Sequence, residues 1–203
     1  MNVKDHWDEA YSSKGVTQRS WTESSESDAL VEVDLANLRK KGAVIDIGGG
    51  ASTFASSLVQ RGFEDVTVLD ISEKALLEAR ATLGDSANKV EWIVSDVLNW
   101  QPVKTYDYWN DRAVFHFLVN EQDHNDYINN MMRATHAGSH ISIATFAPDG
   151  PESCSGLPVM RWSQHDLAAL FLNTCNVVRT GQREHITPWG TAQKFTWVHL
   201  QRM

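Results

Sequence analysis

The most constraining feature of this 203-residue chain is a short apolar run that breaks at three consecutive glycines. The run, residues 43–47, has the length and composition of a buried strand, and Ser52 and Thr53 then open an amphipathic pattern that continues to about Arg61. Glycine allows the backbone to approach a ligand closely, and a helix N-terminus presents unpaired N–H groups. This strand, turn and helix together predict a nucleotide-type binding cradle.

The glycine turn differs from the dinucleotide fingerprint Gly-x-Gly-x-x-Gly, because Thr53 occupies the last glycine position. An acid, Asp46, lies at the strand end, just before Gly48 and Gly50. A carboxylate there suits a ligand with a positively charged amino group better than one with a pyrophosphate. The alternative interpretation is a plain turn between a strand and a helix.

Two further predicted strands also end in acids. The second strand ends at Asp70, where an acid about 20 residues beyond the glycine turn would bond ribose hydroxyls, and Ile71 could stack on an adenine ring. The third strand, residues 90–94, is followed by Asp96 and Val97. An acid at that position can accept from an adenine amino group while the valine packs on the ring. Together the three acids predict one nucleoside site.

Polar side chains also follow the fourth predicted strand, residues 106–109. Asn110, Asp111, Arg112 and His116 come next in the chain, at the same edge of a parallel sheet as the three acids. Arg112 could hold an anionic nucleophile or order Asp111, and His116 could accept a proton. The alternatives are an ion pair at a helix start for Asp111 and Arg112, and a core histidine that bonds the backbone for His116.

Residues 1–41 precede the first strand and contain an aromatic group. Trp7 and Tyr11 are four residues apart, hence on one face of a short predicted helix, and Trp21 follows a polar stretch. Residues 27–28 would cap a second helix. The aromatic side chains either staple this arm to the core or form a lid over a bound ligand.

The remaining elements are predicted to complete the sheet. In order, they are a helix over 123–136 ended by Gly138, a strand over 139–147, a long loop over 148–160 that contains Cys154, a helix over 163–172, and an antiparallel hairpin of 176–185 and 192–201. A loop of that length in a compact domain is usually functional or disordered. It leaves the carboxyl end of a strand, where ligands bind in sheets of this type.

Composition excludes several classes of protein. The net charge of −8 argues against a nucleic-acid partner, which needs clustered Lys and Arg. No run of 18 apolar residues occurs, and the first residues lack the apolar core of a signal peptide. With only two cysteines, free thiols in the cytoplasm are expected. No metal site is expected either, because Gly138 separates His136 from His140.

The motif Asp46-x-Gly48-x-Gly50, with Asp70-Ile71 and Asp96-Val97, resembles the class I S-adenosylmethionine-dependent methyltransferases over roughly residues 40–147. That resemblance implies an α/β fold: a Rossmann-like, doubly wound, seven-stranded and mostly parallel sheet with a C-terminal antiparallel hairpin. It implies S-adenosyl-L-methionine as cofactor, S-adenosyl-L-homocysteine as product, and no metal. One domain is expected over 1–203, with an arm or lid at 1–41, a cofactor-binding core at 42–147 and the substrate side at 148–203.

The expected cofactor-binding residues are those of the strand ends and of the arm: Trp7, Tyr11, Trp21, Asp46, Gly48, Gly50, Asp70, Ile71, Asp96, Val97 and Asn110. The expected catalytic residues are Asp111, Arg112 and His116. The Trp-rich arm, the Asp111-Arg112 pair and the loop ending at 156–158 are similar to the thiopurine and thiol/halide methyltransferases, which implies a small, soft acceptor.

The expected function is therefore methyl transfer to a small thiol or sulfide, by a monomer or weak homodimer without nucleic-acid or membrane partners. A thiol with a pKa of about 8.5 is only slightly ionised at pH 7, so a nearby cation or base has a large effect on its reactivity. A protein lysine methyltransferase is the first alternative. A non-catalytic binding module is the second, and RNA methylation ranks lower because of the charge.

Overall fold

The computed structural model describes residues 2–23 and 27–203, in which seven strands form one sheet. The strands are β1 Ala43–Ile47, β2 Asp65–Asp70, β3 Val90–Val94, β4 Tyr106–Arg112, β5 Thr135–Phe146, β8 Cys175–Ile186 and β9 Ala192–Arg202. Their order is β3-β2-β1-β4-β5-β9-β8, with β9 antiparallel to both of its neighbours and the other pairs parallel. The predicted α/β fold with a C-terminal hairpin is confirmed.

Helices cover both faces of this sheet. They are α1 Val3–Ser13, α2 Ala29–Leu35, α3 Phe54–Gln60, α4 Glu73–Leu83, α5 Glu121–Ala134 and α6 Gln164–Ala169. One core cluster joins the sheet to α5 and α6, and a second joins it to α2, α3 and α4. Strand β1 is buried on both faces, with Ile45 in the first cluster and Val44 in the second, as expected for a central parallel strand.

The chain reverses its direction of winding between β1 and β4. Strand β1 pairs with β2 on one side and β4 on the other, and this brings Asp46 level with Asn110. In open α/β sheets such a switch point leaves a crevice outside the carboxyl ends of the strands, where ligands bind.

Two predicted boundaries around α5 are wrong. The helix ends at Ala134, and Gly138 does not end it but lies inside β5, with a φ of 89°. Ser139 explains the early change to a strand, because its hydroxyl donates to the carbonyl of Tyr106 on β4 and accepts from the amide of His136. These side-chain bonds tie the start of β5 to its neighbour.

The 148–160 segment also differs from the structureless loop predicted. It contains a small hairpin, β6 Ser153–Cys154 and β7 Leu157–Pro158, whose turn residues Ser155 and Gly156 both have positive φ. Cys154 packs with the aromatic side chains of Phe146 and Phe195, and these contacts hold the hairpin against the carboxyl end of β5. Within the described residues, no helix is long and apolar enough to cross a membrane.

Candidate functional site

A cavity of about 580 Å³ opens at the carboxyl ends of β1, β2 and β4. This is within the size range of pockets that hold drug-sized ligands. The residues in its wall that the sequence singled out are Trp7, Tyr11, Trp21, Asp46, Gly48, Asp70, Ile71, Asp96, Val97, Asn110 and Arg112. Three others, Gly50, Asp111 and His116, do not belong to this wall.

The turn after β1 requires glycine at two positions. Gly48 has a φ of 61°, and a Cβ there would collide with the side chain of Val114. Gly50 has a φ of 39°, and its Cβ would lie 2.6 Å from the hydroxyl of Tyr11 and 3.0 Å from the carboxylate of Asp70. Gly50 therefore lies outside the cavity wall. Its lack of a side chain allows Tyr11 of the arm and Asp70 of β2 to approach the turn.

Asp46 is a buried carboxylate at the centre of the site. Its Oδ1 accepts from the side-chain amide of Asn110 at 2.7 Å, and its Oδ2 accepts from the hydroxyl of Ser52 at 3.0 Å. Burial raises the pKa of Asp46 to about 7, against these two hydrogen bonds, and the nearby Glu23 and Asp111 carboxylates raise it further. No cation of the described chain bonds this carboxylate. A positively charged ligand group therefore fits here.

Asp70 is the second buried acid of the wall. Its carboxylate accepts from the backbone amides of Ser72, at 2.7 Å, and of Gly50. Burial raises the pKa of Asp70 to about 7 although both amides favour its ionised form. A carboxylate held in this way presents its remaining lone pairs to the cavity, where ligand hydroxyls could donate to them.

The third acid, Asp96, shapes a turn. It accepts from the amide of Leu98 at 2.9 Å and from the side chain of Asn99 at 3.1 Å. Ile71 and the buried Val97 line the same cavity. This arrangement offers an apolar slot with a carboxylate at its rim, which suits a flat heterocycle with an amino group.

The aromatic side chains of the arm pack against one another and also form part of the cavity wall. The indole of Trp7 packs edge-on against Trp21 at 5.5 Å and against Phe117 at 5.2 Å, and the Trp21 indole N–H donates to the hydroxyl of Tyr11 at 3.2 Å. These rings line the cavity and close it on one side. Whether they contact a cofactor or an acceptor stays a prediction.

Two polar contacts that the sequence did not indicate hold the arm in place. Asp8 accepts from the hydroxyl of Ser72, the N-cap of α4, at 2.7 Å. The buried guanidinium of Arg19 makes two bonds to Glu78 at 2.7 and 2.8 Å and lies 4.5 Å from the ring centroid of Tyr11. Arg19 lies in a polar stretch typical of a loop, and no spacing in the sequence marks it as buried.

Asp111 points away from the cavity. Its carboxylate accepts from the hydroxyl of Tyr127 on α5 at 2.6 Å and from the amides of Val114 and Phe115. Burial raises the pKa of Asp111 to about 6. These contacts assign Asp111 to the support of the turn after β4, and no ion pair joins it to Arg112 in the described part of the chain.

Arg112 instead contacts the arm. Its guanidinium donates to the carbonyl of Trp21 at 3.1 Å, and its Nε lies 3.4 Å from Oε1 of Glu23. The side chain of Glu23 is only 10% exposed, and its other oxygen, Oε2, is buried without a hydrogen-bond partner among the described residues. Sequence reasoning missed Glu23, since nothing in the segment around Trp21 marks it.

His116 lies behind the site. Its ring is fully buried between Phe117, at 4.4 Å, and Phe146, at 4.6 Å, and neither nitrogen has a partner in the described residues. Burial, and then the charge of Arg112, lowers the pKa of His116 to about 3. The expected backbone bond to the ring is absent from the described contacts, and this placement does not favour the role of a base.

The β6–β7 hairpin covers the far side of the cavity through Cys154, Leu157 and Pro158. Burial raises the pKa of the Cys154 thiol to about 11, so this sulfur is protonated at neutral pH. Among the residues that the structure describes, no group of three or more His, Cys, Asp or Glu side chains is arranged to hold a metal ion. The site offers acids for a cationic nucleoside and an enclosed apolar space beside them.

A family model described as a methyltransferase domain matches residues 44–138. Among curated proteins, the chain is 29% identical over 140 residues to malonyl-[acyl-carrier protein] O-methyltransferase 1 of Ilyobacter polytropus, covering 66% of this chain and 51% of that protein. It is 23% identical over 190 residues to EEF1A lysine methyltransferase 2 of Danio rerio, covering 88% of this chain and 77% of that protein. The chain thus spans about half the length of the first relative.

A solved structure, the N-methyltransferase NodS from Bradyrhizobium japonicum in complex with S-adenosyl-L-homocysteine, superimposes with a TM-score of 0.67. The two are 12% identical, and the match covers 98% of this chain and 99% of that chain. At this identity the match concerns the fold alone.

Proposed function

We propose that this chain, which belongs to the class I S-adenosylmethionine-dependent methyltransferase superfamily, transfers the methyl group of that cofactor to a small, soft nucleophile, a thiol or sulfide. When it is bound, the cofactor supplies the electrophile. The protein therefore has to bind both reactants, orient them and exclude water. The narrower similarity to thiopurine and thiol/halide methyltransferases remains part of this proposal.

The observation that carries the proposal is the row of acids Asp46, Asp70 and Asp96 in the wall of one cavity. Asp46 would hold the amino group of the cofactor, because no cation of the described part of the chain bonds this buried carboxylate. Asp70 would accept from the ribose hydroxyls, and Asp96, with Ile71 and Val97, would hold the adenine. The residues present therefore fit the cofactor.

The acceptor side of the cavity supports a small, soft nucleophile. Its wall is largely aromatic and aliphatic, with Trp7, Trp21 and Phe117 on the arm side and the β6–β7 hairpin opposite. Arg112 belongs to this wall, and a positive charge there favours the thiolate form of an acceptor. Aligned reactants in an enclosed site gain effective molarities of about 10⁵–10⁸ M, so little further catalysis is needed.

The test is transfer of tritium from methyl-labelled S-adenosylmethionine to a panel of thiols, amines, carboxylates and lysate proteins, with volatile products trapped separately. We expect label in small thiols. Preference for amines or protein lysines over every thiol would overturn the acceptor part of the proposal. Failure of the cofactor itself to bind would overturn all of it.

We expect cofactor affinity to fall in acid. Asp46 and Asp70 both have a pKa raised to about 7 by burial, and the cofactor binds their ionised forms. Affinity is therefore constant above about pH 8 and decreases as the pH falls through 7, by about tenfold per unit for each acid that must lose a proton. Isothermal titration with S-adenosylhomocysteine at several pH values measures this, and Asp46→Asn should reduce the slope. Equal affinity at pH 8 and pH 5.5 would contradict it.

Lysine methylation of a protein is the second candidate. The observation in its favour is that the similarity to EEF1A lysine methyltransferase 2 extends over 88% of the chain, further than the methyltransferase-domain match. Label that appears in lysate proteins and survives gel electrophoresis, with none in thiols, would select this candidate.

A further inference from the structure

A second, smaller chamber of about 190 Å³ adjoins the cofactor cavity. Glu23, Asn110 and Arg112 belong to the walls of both spaces, so they form the partition between them. Asn110 is the residue that bonds Asp46, the acid assigned to the amino group of the cofactor. The chamber therefore begins where the methionine end of the cofactor would lie, and a molecule about the size of a small amino acid or amine would fit it.

Among the described residues, Oε2 of Glu23 is a buried group of the partition without a hydrogen-bond partner. A buried carboxylate oxygen without a donor is costly, since it has lost water and gained nothing in exchange. Its partner oxygen, Oε1, faces Arg112 at 3.4 Å, which is longer than a close charge-assisted hydrogen bond. The charge of Glu23 also raises the pKa of Asp46, so the two acids lie close enough to interact.

None of the other charged groups of the chamber donates a hydrogen bond to Oε2 of Glu23 among the described residues. Arg183 lies 3.9 Å from Asp28 and 3.6 Å from the buried Glu32, so it faces acids other than Glu23. Glu184 adds a further acid to the wall. Burial lowers the pKa of His185, whose ring nitrogen contacts the carbonyl of Ser20, so this histidine is neutral at pH 7.

We propose that the small chamber is a subsite for the methyl acceptor and that Glu23 selects an acceptor with an ammonium group, held by the free Oε2. The cofactor brings one ammonium group, for which Asp46 is the partner. Arg112 faces only Oε1 of Glu23, which leaves Oε2 for a second cation. The inference rests on the proposed function and deepens it, because it narrows the acceptor to a small aminothiol whose sulfur points to the cofactor cavity.

The test uses three thioether probes that mimic methylated products and differ in one end group: methylthioethylamine, methylthioethanol and methylthiopropionate. Each is titrated into the protein saturated with S-adenosylhomocysteine, and binding is measured by calorimetry. We expect the amine to bind about tenfold or more tightly than the alcohol, as for a hydrogen bond to a charged group. Equal binding of amine and alcohol, or tightest binding of the carboxylate through Arg112 and Arg183, would overturn the inference.

Glu23→Gln should bring the ratio of amine to alcohol affinity close to one. Glu152→Gln, the same change on an exposed side chain outside both cavities, should keep the wild-type ratio. A folded Glu23→Gln protein that keeps the preference for the amine would contradict the assignment. If Glu23→Gln does not fold, the comparison of amine and alcohol binding by the wild type still tests the inference.

Methylation of the corresponding thiols is measured in parallel to separate the two proposals. A preference for the amine probe without methylation of any thiol would overturn thiol transfer and support the ammonium subsite. If S-adenosylhomocysteine does not bind, the proposed function fails, and titration of the same probes into the free protein still decides the role of Glu23.

Discussion

Asp70→Ala is expected to weaken the binding of S-adenosylhomocysteine by about 10- to 150-fold. The ribose hydroxyls of the cofactor lose a charged acceptor, and a hydrogen bond to a charged group contributes about 1.5–3 kcal/mol. The wild type at a ligand concentration of one hundred times Kd should gain about 2.7 kcal/mol of stability, seen as a rise of several degrees in melting temperature. The variant should lose most of this rise.

The matched control is Asp65→Ala, the same substitution at the opposite end of β2. Asp65 pairs with Lys104 at 2.7 Å, away from the cavity, so its loss should leave the ligand-induced rise intact. A variant at Asp70 that melts normally and binds the ligand as the wild type does would remove this residue from the cofactor site.

Asp111→Ala is expected to lower the free energy of unfolding by about 3–5 kcal/mol. The substitution leaves the hydroxyl of Tyr127 and the amides of Val114 and Phe115 without an acceptor in a buried region, at about 1–3 kcal/mol for each group. Urea denaturation measures the loss, which corresponds to a fall of roughly 10 °C in melting temperature for a chain of this size.

Asp111→Asn separates a supporting role from a catalytic one. Its amide has nearly the same shape, and its oxygen can still accept from the backbone, so it should retain most of the stability and most of the methyl-transfer rate. A folded Asp111→Asn protein with a rate reduced a hundredfold or more would restore Asp111 as a catalytic residue.

The fold was predictable because its signals are local. A continuous apolar run, a glycine break and an amphipathic helix define β1 and α3, and acids at strand ends mark one edge of a parallel sheet. The same reasoning failed at Gly138, where glycine alone does not distinguish the end of a helix from an irregular strand. There the bonds of Ser139 to its neighbours decided the outcome.

The roles of the residues at the end of β4 were harder to predict than the fold. Strand β4 does not end at residue 109 but continues to Arg112, so successive side chains point to opposite faces of the sheet. Asn110 shares a face with Asp46, whereas Asp111 points to Tyr127 on α5. An error of three residues in the end of a strand thus changed which side chains reach the cavity.

The sequence by itself determined the central strands, the glycine turn and the three acids at the strand ends, since each depends on residues close together in the chain. Only the tertiary structure decided the contacts of Glu23 between the two cavities. Glu23 reaches Arg112 because Asp8 and Arg19 fix the arm on α4, across about 60 residues of chain. Its second carboxylate oxygen has no partner among the described residues because that contact is buried, and burial depends on the packing of the whole molecule.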